Sequence, residues 1–127
     1  MVAEPLHKRV DAFIGLLEAG RTLEAIEQFY ADDVCVFENR TLARAGRQAC
    51  LAYEREQLAG QPHPPQIRVS RKAIDTLTDT VFLEYTLRFV GAEGRPMCLE
   101  EVAVQSWGRG VISSERFYYA GLVDEGD

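Results

Sequence analysis

Apolar residues recur at three- and four-residue steps through the first thirty residues, and from residue 67 onward they alternate with polar ones. The first texture belongs to amphipathic helices and the second to half-buried strands. Leu6, Val10, Phe13, Ile14 and Leu17 share one face of a helix whose first turn suits Pro5 and whose natural stop is Gly20. Thr22 is placed to cap a second helix, with Leu23, Ile26, Phe29 and Tyr30 on its apolar side. A break at Asp32-Asp33 precedes a β-rich run over 34–38 that ends at Asn39. A third helix opens at Gly46, runs from Gln48 to Leu58 and closes at Gly60. Residues 61–65, Gln-Pro-His-Pro-Pro, make a stiff connector and not a domain linker, because neither flank is long enough to fold alone.

Period two then predicts strands over 67–76, 81–90, 97–107 and 111–119, with turns at 77–79, 91–94 and 108–110. Short turns bearing Gly and Asp join antiparallel hairpins, so the last three strands form a meander. Helices first and strands afterwards predict an α+β domain, with the helices covering one face of a curled sheet. The acidic tail over 124–127 is expected to fray. Alternation places Val81, Leu83, Tyr85, Leu87 and Phe89 on one face of their strand and Phe82, Glu84, Thr86 and Arg88 on the other. Val102 and Val104 likewise oppose Glu101, Ala103, Gln105 and Trp107, while Glu115, Phe117 and Tyr119 oppose Ser114, Arg116 and Tyr118. On pattern alone the apolar set belongs inside and the carboxylates belong in water.

A chain of 127 residues, 46% hydrophobic and 27% charged, fits one soluble globular domain over 1–127 and needs no disulfide or metal staple. Its net charge of -6 argues against nucleic acid as a partner. No apolar run is long enough to span a membrane. The first twenty residues are interrupted by charge and lack a signal peptide's apolar core, which makes the cytoplasm the expected location, with those residues retained. Cys35, Cys50 and Cys98 are scattered, as small core residues are and metal or disulfide sets are not. His7 and His63 are isolated, so no metal is expected.

The stretch Leu23-Glu24-Ala25-Ile26-Glu27-Gln28-Phe29-Tyr30-Ala31-Asp32-Asp33-Val34, followed by Phe37-Glu38-Asn39, Gly46 and Ala49, resembles the nuclear transport factor 2-like superfamily, most closely its SnoaL-like branch. The C-terminal part is similar too, through Glu100-Glu101-Val102-Ala103-Val104-Gln105-Ser106-Trp107, Gly110-Val111-Ile112 and Glu115-Arg116-Phe117-Tyr118-Tyr119. With the helix order, the likeness spans nearly the whole chain. It implies a cystatin-like cone: N-terminal helices packed in a strongly curved, mainly antiparallel sheet, with a pocket at the open end. It also implies a homodimer formed through the outer sheet face. Isomerases, epoxide hydrolases, polyketide cyclases, dehydratases and plain binding proteins share this cone, so the fold leaves the activity open.

The resemblance reverses the expected faces. Laid on the cone, Glu38, Phe82, Glu84, Thr86, Glu101, Ala103, Gln105, Glu115, Phe117 and Tyr119 point into the pocket, and Leu83, Tyr85, Leu87, Val102 and Val104 lie outside. So large an apolar outer face is a liability on a monomer, and a dimer covers it.

Four glutamates would then converge, Glu38, Glu84, Glu101 and Glu115, with Arg88 offsetting part of their charge. Carboxylates sharing a partly dry pocket cannot all stay ionised, and two carboxyls tuned apart suit paired acid and base work. A hydrated rim, or structural pairing with arginines, is the alternative. By resemblance, Glu38 stands where ketosteroid isomerases of this fold carry the aspartate that moves the proton. Their two oxyanion donors match Phe13 and Ala103, which cannot donate, and losing even one donor typically costs ~10²–10³ in rate. The limonene-epoxide-hydrolase pattern wants an arginine two residues before Glu101, where Leu99 stands, and the scytalone-dehydratase type wants pocket histidines.

What is left is the SnoaL-like type, in which one acidic residue acts as general acid or base with no cofactor or metal implied. Glu38, Glu101 and Glu115 are the candidate catalytic residues, with Glu38 the proposed base. Asn39, Gln105 and Tyr119 are candidate hydrogen-bond partners of the substrate, beside Glu84, and Phe13, Phe82, Trp107 and Phe117 its apolar walls. Simple core packing is an equal expectation for Trp107. The expected substrate is a small apolar carbonyl metabolite undergoing isomerisation, cyclisation or hydration. The competing expectation is a non-catalytic dimeric cone that binds a small molecule or serves as an association module.

Overall fold

The computed structural model describes residues 4–61 and 63–126. Three helices, α1 (Leu6–Glu18), α2 (Thr22–Phe29) and α3 (Arg47–Ala59), accompany seven strands: β1 (Tyr30–Glu38), β2 (Thr41–Ala45), β3 (Gln66–Asp75), β4 (Thr80–Val90), β5 (Pro96–Gly108), β6 (Val111–Tyr118) and β7 (Val123–Asp124). The strands form one curved, unclosed sheet in the order β2-β1-β6-β5-β4-β3, with β7 paired to β5. β1 and β6 run parallel and the other pairs antiparallel. It is an α+β cone, its helices packed on the concave face.

The apolar stripe of α1 buries Val10, Phe13 and Leu17, and α2 buries Ala25, Ile26 and Phe29. Burying such stripes, more than helix propensity, holds short helices in place. Arg9 fastens α1 to the β5–β6 hairpin: its Nε donates to the Gly110 carbonyl at 2.7 Å and its guanidinium lies 4.6 Å from the centre of the Phe29 ring. α3 buries only Cys50 and Leu51 and covers the cone's open side with a largely polar surface.

The elements differ from the sequence expectation at four places. β1 begins at Tyr30 and runs through Asp32-Asp33, where an irregularity in its pairing with β6 absorbs the polar pair. β2 was not predicted; it is short, Ala- and Arg-bearing, and held by its pairing to β1. The tail does not fray at Asp124, because Val123 and Asp124 pair with Cys98 and Met97, and Glu125 N–H donates to the Pro96 carbonyl. Thr22 opens α2 without capping it; Arg21 occupies the cap position and grips Glu24 through its guanidinium. Expectations that fall on residues 1–3, Pro62 or Asp127 lie outside the described residues.

The largest correction concerns β4. Directly opposed residues in an antiparallel pair share a face. Glu84 opposes Val102, Phe82 opposes Val104, and Leu83 opposes Ala103, so Phe82, Glu84 and Thr86 lie on the outside. Val81, Leu83 and Tyr85 are buried beneath the helices, with Leu87 and Phe89 on the same side. The expectation from the family resemblance fails here, and the pattern-alone one holds, because of one residue of turn length. A four-residue turn over 91–94 would pair Val90 with Arg95 and put Glu84 opposite Glu101. The observed loop holds five residues, closed by Gly91 N–H donating to the Arg95 carbonyl at 2.8 Å, and Val90 pairs with Pro96. A one-residue slip in register moves every side chain of a strand to the other face.

Candidate functional site

The helices do not fill the cone. A cavity of about 230 Å³ is left between the concave face and α3, walled by Phe13, Leu17, Ile26, Val36, Ile67, Leu87, Leu99 and Phe117. Glu38, Glu101 and Glu115 all line it, as do Tyr30, Arg44, Tyr53, Glu54, Tyr85 and Gln61. They converge because β1, β6 and β5 are adjacent: Val36 lies beside Glu115, Glu38 beside Phe117, and Gln105 opposite Glu115.

Glu38 ends β1 and is partly exposed, its side chain 29% accessible. Tyr119 donates to its Oε1 at 2.6 Å and Arg44 Nη1 donates to its Oε2 at 2.7 Å. Burial acts to raise this carboxyl, but the two hydrogen bonds and the Arg44 charge outweigh it and hold Glu38 below the usual carboxylate range. Its hydrogen bond to Glu38, together with burial, pushes the Tyr119 phenol up to about 12. Arg44 projects from β2 with its guanidinium 4.0 Å from the centre of the Tyr53 ring. Asn39 does not join the carboxylates. It turns the chain at φ 53°, its Oδ1 accepts the Tyr119 N–H at 3.1 Å, and its carbonyl accepts from Arg116.

Glu115 forms the floor at 2% exposure. Tyr30 donates to its Oε1, and Gln105 Nε2 donates to its Oε2 at 2.6 Å. Gln105 Oε1 in turn accepts the Trp107 indole N–H at 3.0 Å. Burial raises the Glu115 carboxyl against the opposing pull of these hydrogen bonds, and raises the Tyr30 phenol as well. Trp107 is core: it packs edge-on against Phe13 at 6.1 Å and tilted on Phe29 at 6.0 Å. Gln105 is likewise fully buried, and its amide holds the Glu115 carboxyl in place.

Glu101 lies between these two ends. Its cross-strand neighbour Tyr85 hydrogen-bonds its carboxyl. Burial is the main cause that lifts Glu101 up to about 7; the charges of Glu115 and Glu38 add to it, while the Tyr85 bond and Arg44 oppose it. It is therefore the carboxyl that exchanges its proton near neutrality. Burial also raises Glu54, which faces the cavity from α3.

Of the residues singled out in the sequence, Phe13, Glu38, Glu101, Glu115 and Phe117 line the cavity, and Tyr119 and Gln105 bond its carboxylates. Phe82 and Glu84 do not reach it: they are exposed on the convex face, where Ser70 donates to Glu84 Oε1 at 2.8 Å. Arg88 is outside too, paired with Glu125. The sequence reading missed Arg44, Tyr30, Tyr85 and Gln61. Tyr30 was assigned to a helix, and Tyr85, inside on pattern alone, was moved to the outer face by the family resemblance. Among the described residues no group of three or more His, Cys, Asp or Glu side chains is placed to hold a metal. No described helix is long and apolar enough to cross a membrane.

No protein-family model matches the sequence, and no curated protein matches it. Solved structures do match. A cystatin-fold protein from Novosphingobium aromaticivorans superposes with a TM-score of 0.74 at 17% identity, covering 91% of this chain and 98% of its own. The chain has the nuclear transport factor 2-like fold. A candidate SnoaL-like polyketide cyclase from Jannaschia sp. CCS1 superposes on this cone with a TM-score of 0.73 at 12% identity, covering 94% of this chain and 90% of that one. An epoxide hydrolase of the limonene-epoxide-hydrolase type from M. tuberculosis gives 0.71 at 16% identity, covering 91% and 82%. Such distant likenesses establish the cone and leave the chemistry to the residues inside it.

Proposed function

We propose that this cone is a proton-transfer enzyme of the SnoaL-like type, acting on a small, largely apolar carbonyl compound by isomerisation, cyclisation or hydration. The observation that carries it is a pair of carboxyls in one cavity held on opposite sides of their ordinary value. Glu38 is kept ionised by Arg44 and Tyr119, and Glu101 is kept protonated up to about pH 7. That division assigns Glu38 as base and Glu101 as acid. Glu115 stays at the floor as the group that orients Tyr30. The structural relatives named as a cyclase and an epoxide hydrolase support the class and not the substrate.

Exchange of the α-hydrogens of simple cyclic ketones in D₂O, followed by mass spectrometry, tests this without knowledge of the natural substrate. Glu38→Gln is expected to lower the exchange rate by ~10²–10⁴-fold. The wild-type rate should form a bell, falling in acid as Glu38 gains a proton and falling above about pH 7 as Glu101 loses one. Undiminished exchange in Glu38→Gln would remove Glu38 from the mechanism.

One observation favours a second reading, in which the cavity holds a ligand without turnover. Each of the three glutamates already has a tyrosine partner: Tyr119 for Glu38, Tyr85 for Glu101 and Tyr30 for Glu115. A ligand that co-purifies and is returned unchanged after prolonged incubation would support it.

We also propose a homodimer through the outer sheet face, carried by Val102 of the expected set together with Phe82 and Tyr118 in place of Leu83, Tyr85 and Leu87. Phe82, Val102 and Tyr118 are 41%, 37% and 50% exposed there. Sedimentation should give twice the 14.3 kDa chain mass at high concentration; particles of one chain throughout would refute the pairing.

A further inference from the structure

We propose that the cavity takes a small organic cation, a protonated primary to tertiary amine carried on an apolar body, in preference to a neutral or anionic ligand. The inference narrows the carbonyl compound proposed above to one that also carries a protonated amine, and rests on the same cavity being the functional site. Three independent features point the same way.

The first is charge. Glu38, Glu54, Glu101 and Glu115 line the cavity, and among the described residues lining it Arg44 is the one Lys or Arg. Arg44 offers little to an anion, since its Nη1 is bonded to Glu38 and its flat face lies on Tyr53. An entering carboxylate or phosphate would find its one candidate cation already paired, and every further carboxyl that ionises in the cavity would repel it.

The second feature is the walls. Tyr30, Tyr85, Phe89 and Phe117 line the space, while the Tyr53 ring is already covered by Arg44. Aromatic faces attract a desolvated ammonium and do nothing comparable for an anion. The third is an unanswered acceptor. Gln61 lines the cavity, and its buried Oε1 has no hydrogen-bond partner among the described residues. A buried acceptor left alone is costly, and an ammonium N–H is a donor that would satisfy it.

The groups facing Glu101 make the binding pH-dependent. Tyr85 faces it from β4, Glu115 from β6, Glu38 from β1 and Arg44 from β2, with Tyr119 beyond β6. α3 brings Tyr53 and Glu54 to the same cavity. A bound cation favours the ionised form of Glu101, so it releases a proton on entry and binds more tightly as pH rises through about 7. An anion would show the opposite slope.

Calorimetry with three probes built on one ring tests this: cyclohexylammonium, cyclohexanol and cyclohexanecarboxylate. The ammonium should bind ~10-fold or more tightly than the alcohol, the carboxylate more weakly than either, and heats in buffers of different ionisation enthalpy should reveal proton release. Glu101→Gln should abolish that release, and Gln61→Leu should weaken ammonium binding while leaving the thermal unfolding midpoint near that of wild type. Alcohol or carboxylate binding as tight as the ammonium would overturn the proposal, as would no ammonium binding at millimolar concentration. None of these readouts requires turnover. A cavity that binds ammonium but fails the deuterium-exchange test would keep this inference and lose the enzymatic one.

Discussion

Glu38 and Glu115 are the same residue type in one cavity, and their surroundings drive them in opposite directions. Glu38 stands at the partly open end, where a guanidinium and a phenol both donate to it and the nearby solvent limits the cost of its charge. Glu115 stands at the floor with two neutral donors, and burial dominates. Hydrogen-bond count is equal at both ends. What separates them is a positive charge and access to water, which shows that partners alone do not set the protonation of a buried carboxyl. Glu101, between the two, is poised near neutrality by its position in that gradient.

The contrast can be broken most sharply by truncation. Glu115→Ala strands the Tyr30 hydroxyl and the Gln105 amide in a dry floor and should cost about 3 kcal/mol in urea unfolding. Glu38→Ala frees Arg44 and Tyr119 near solvent and should cost only about 1 kcal/mol. Equal costs would mean that the floor is as wet as the open end.

A second test uses pH, with urea midpoints measured from acid to neutral. Because folding raises the Glu101 and Glu115 carboxyls, their contribution is full below about 4.5 and is lost as pH rises, through about 7 for Glu101. Glu38 has the opposite sign: its contribution is present above 4.5 and lost as pH falls through its lowered folded value. Glu101→Gln should flatten the neutral side of the profile, and Glu38→Gln the acid side.

The smallest effect sharpens the comparison. Glu115→Gln should change stability by less than about 1 kcal/mol, because the amide keeps the carboxyl's shape and can still hydrogen-bond Tyr30 and Gln105 in the floor. A large loss would indicate that Glu115 is ionised in the folded protein.

Much of the cone was legible from one-dimensional pattern. The stripe of Val10, Phe13 and Leu17 follows from local periodicity, while on β5 and β6 periodicity sorted the faces and the family resemblance chose the inner one, with Glu101, Gln105 and Glu115 on it. β4 was read correctly by pattern alone, with Val81, Leu83 and Tyr85 inside, and was inverted when the resemblance was laid over it. Period two separates a strand's faces without saying which is inside, and the choice hung on a five-residue loop in which Glu93 adopts φ 61°. Two glutamates of equal standing in the sequence, Glu84 and Glu101, were thereby sent to opposite sides of the sheet.

The amino-acid order by itself determined the elements, the α+β arrangement and which residues travel together on a strand, because periodicity and turn chemistry act over a few residues. Tertiary structure decided which face became the interior, and that Arg44 from an unpredicted strand would meet Glu38. It also decided that three tyrosines from three places in the chain would each find one of three glutamates. Those outcomes depend on registers between distant segments and on how far each carboxyl is withdrawn from water, quantities that come into existence only when the sheet closes over the helices.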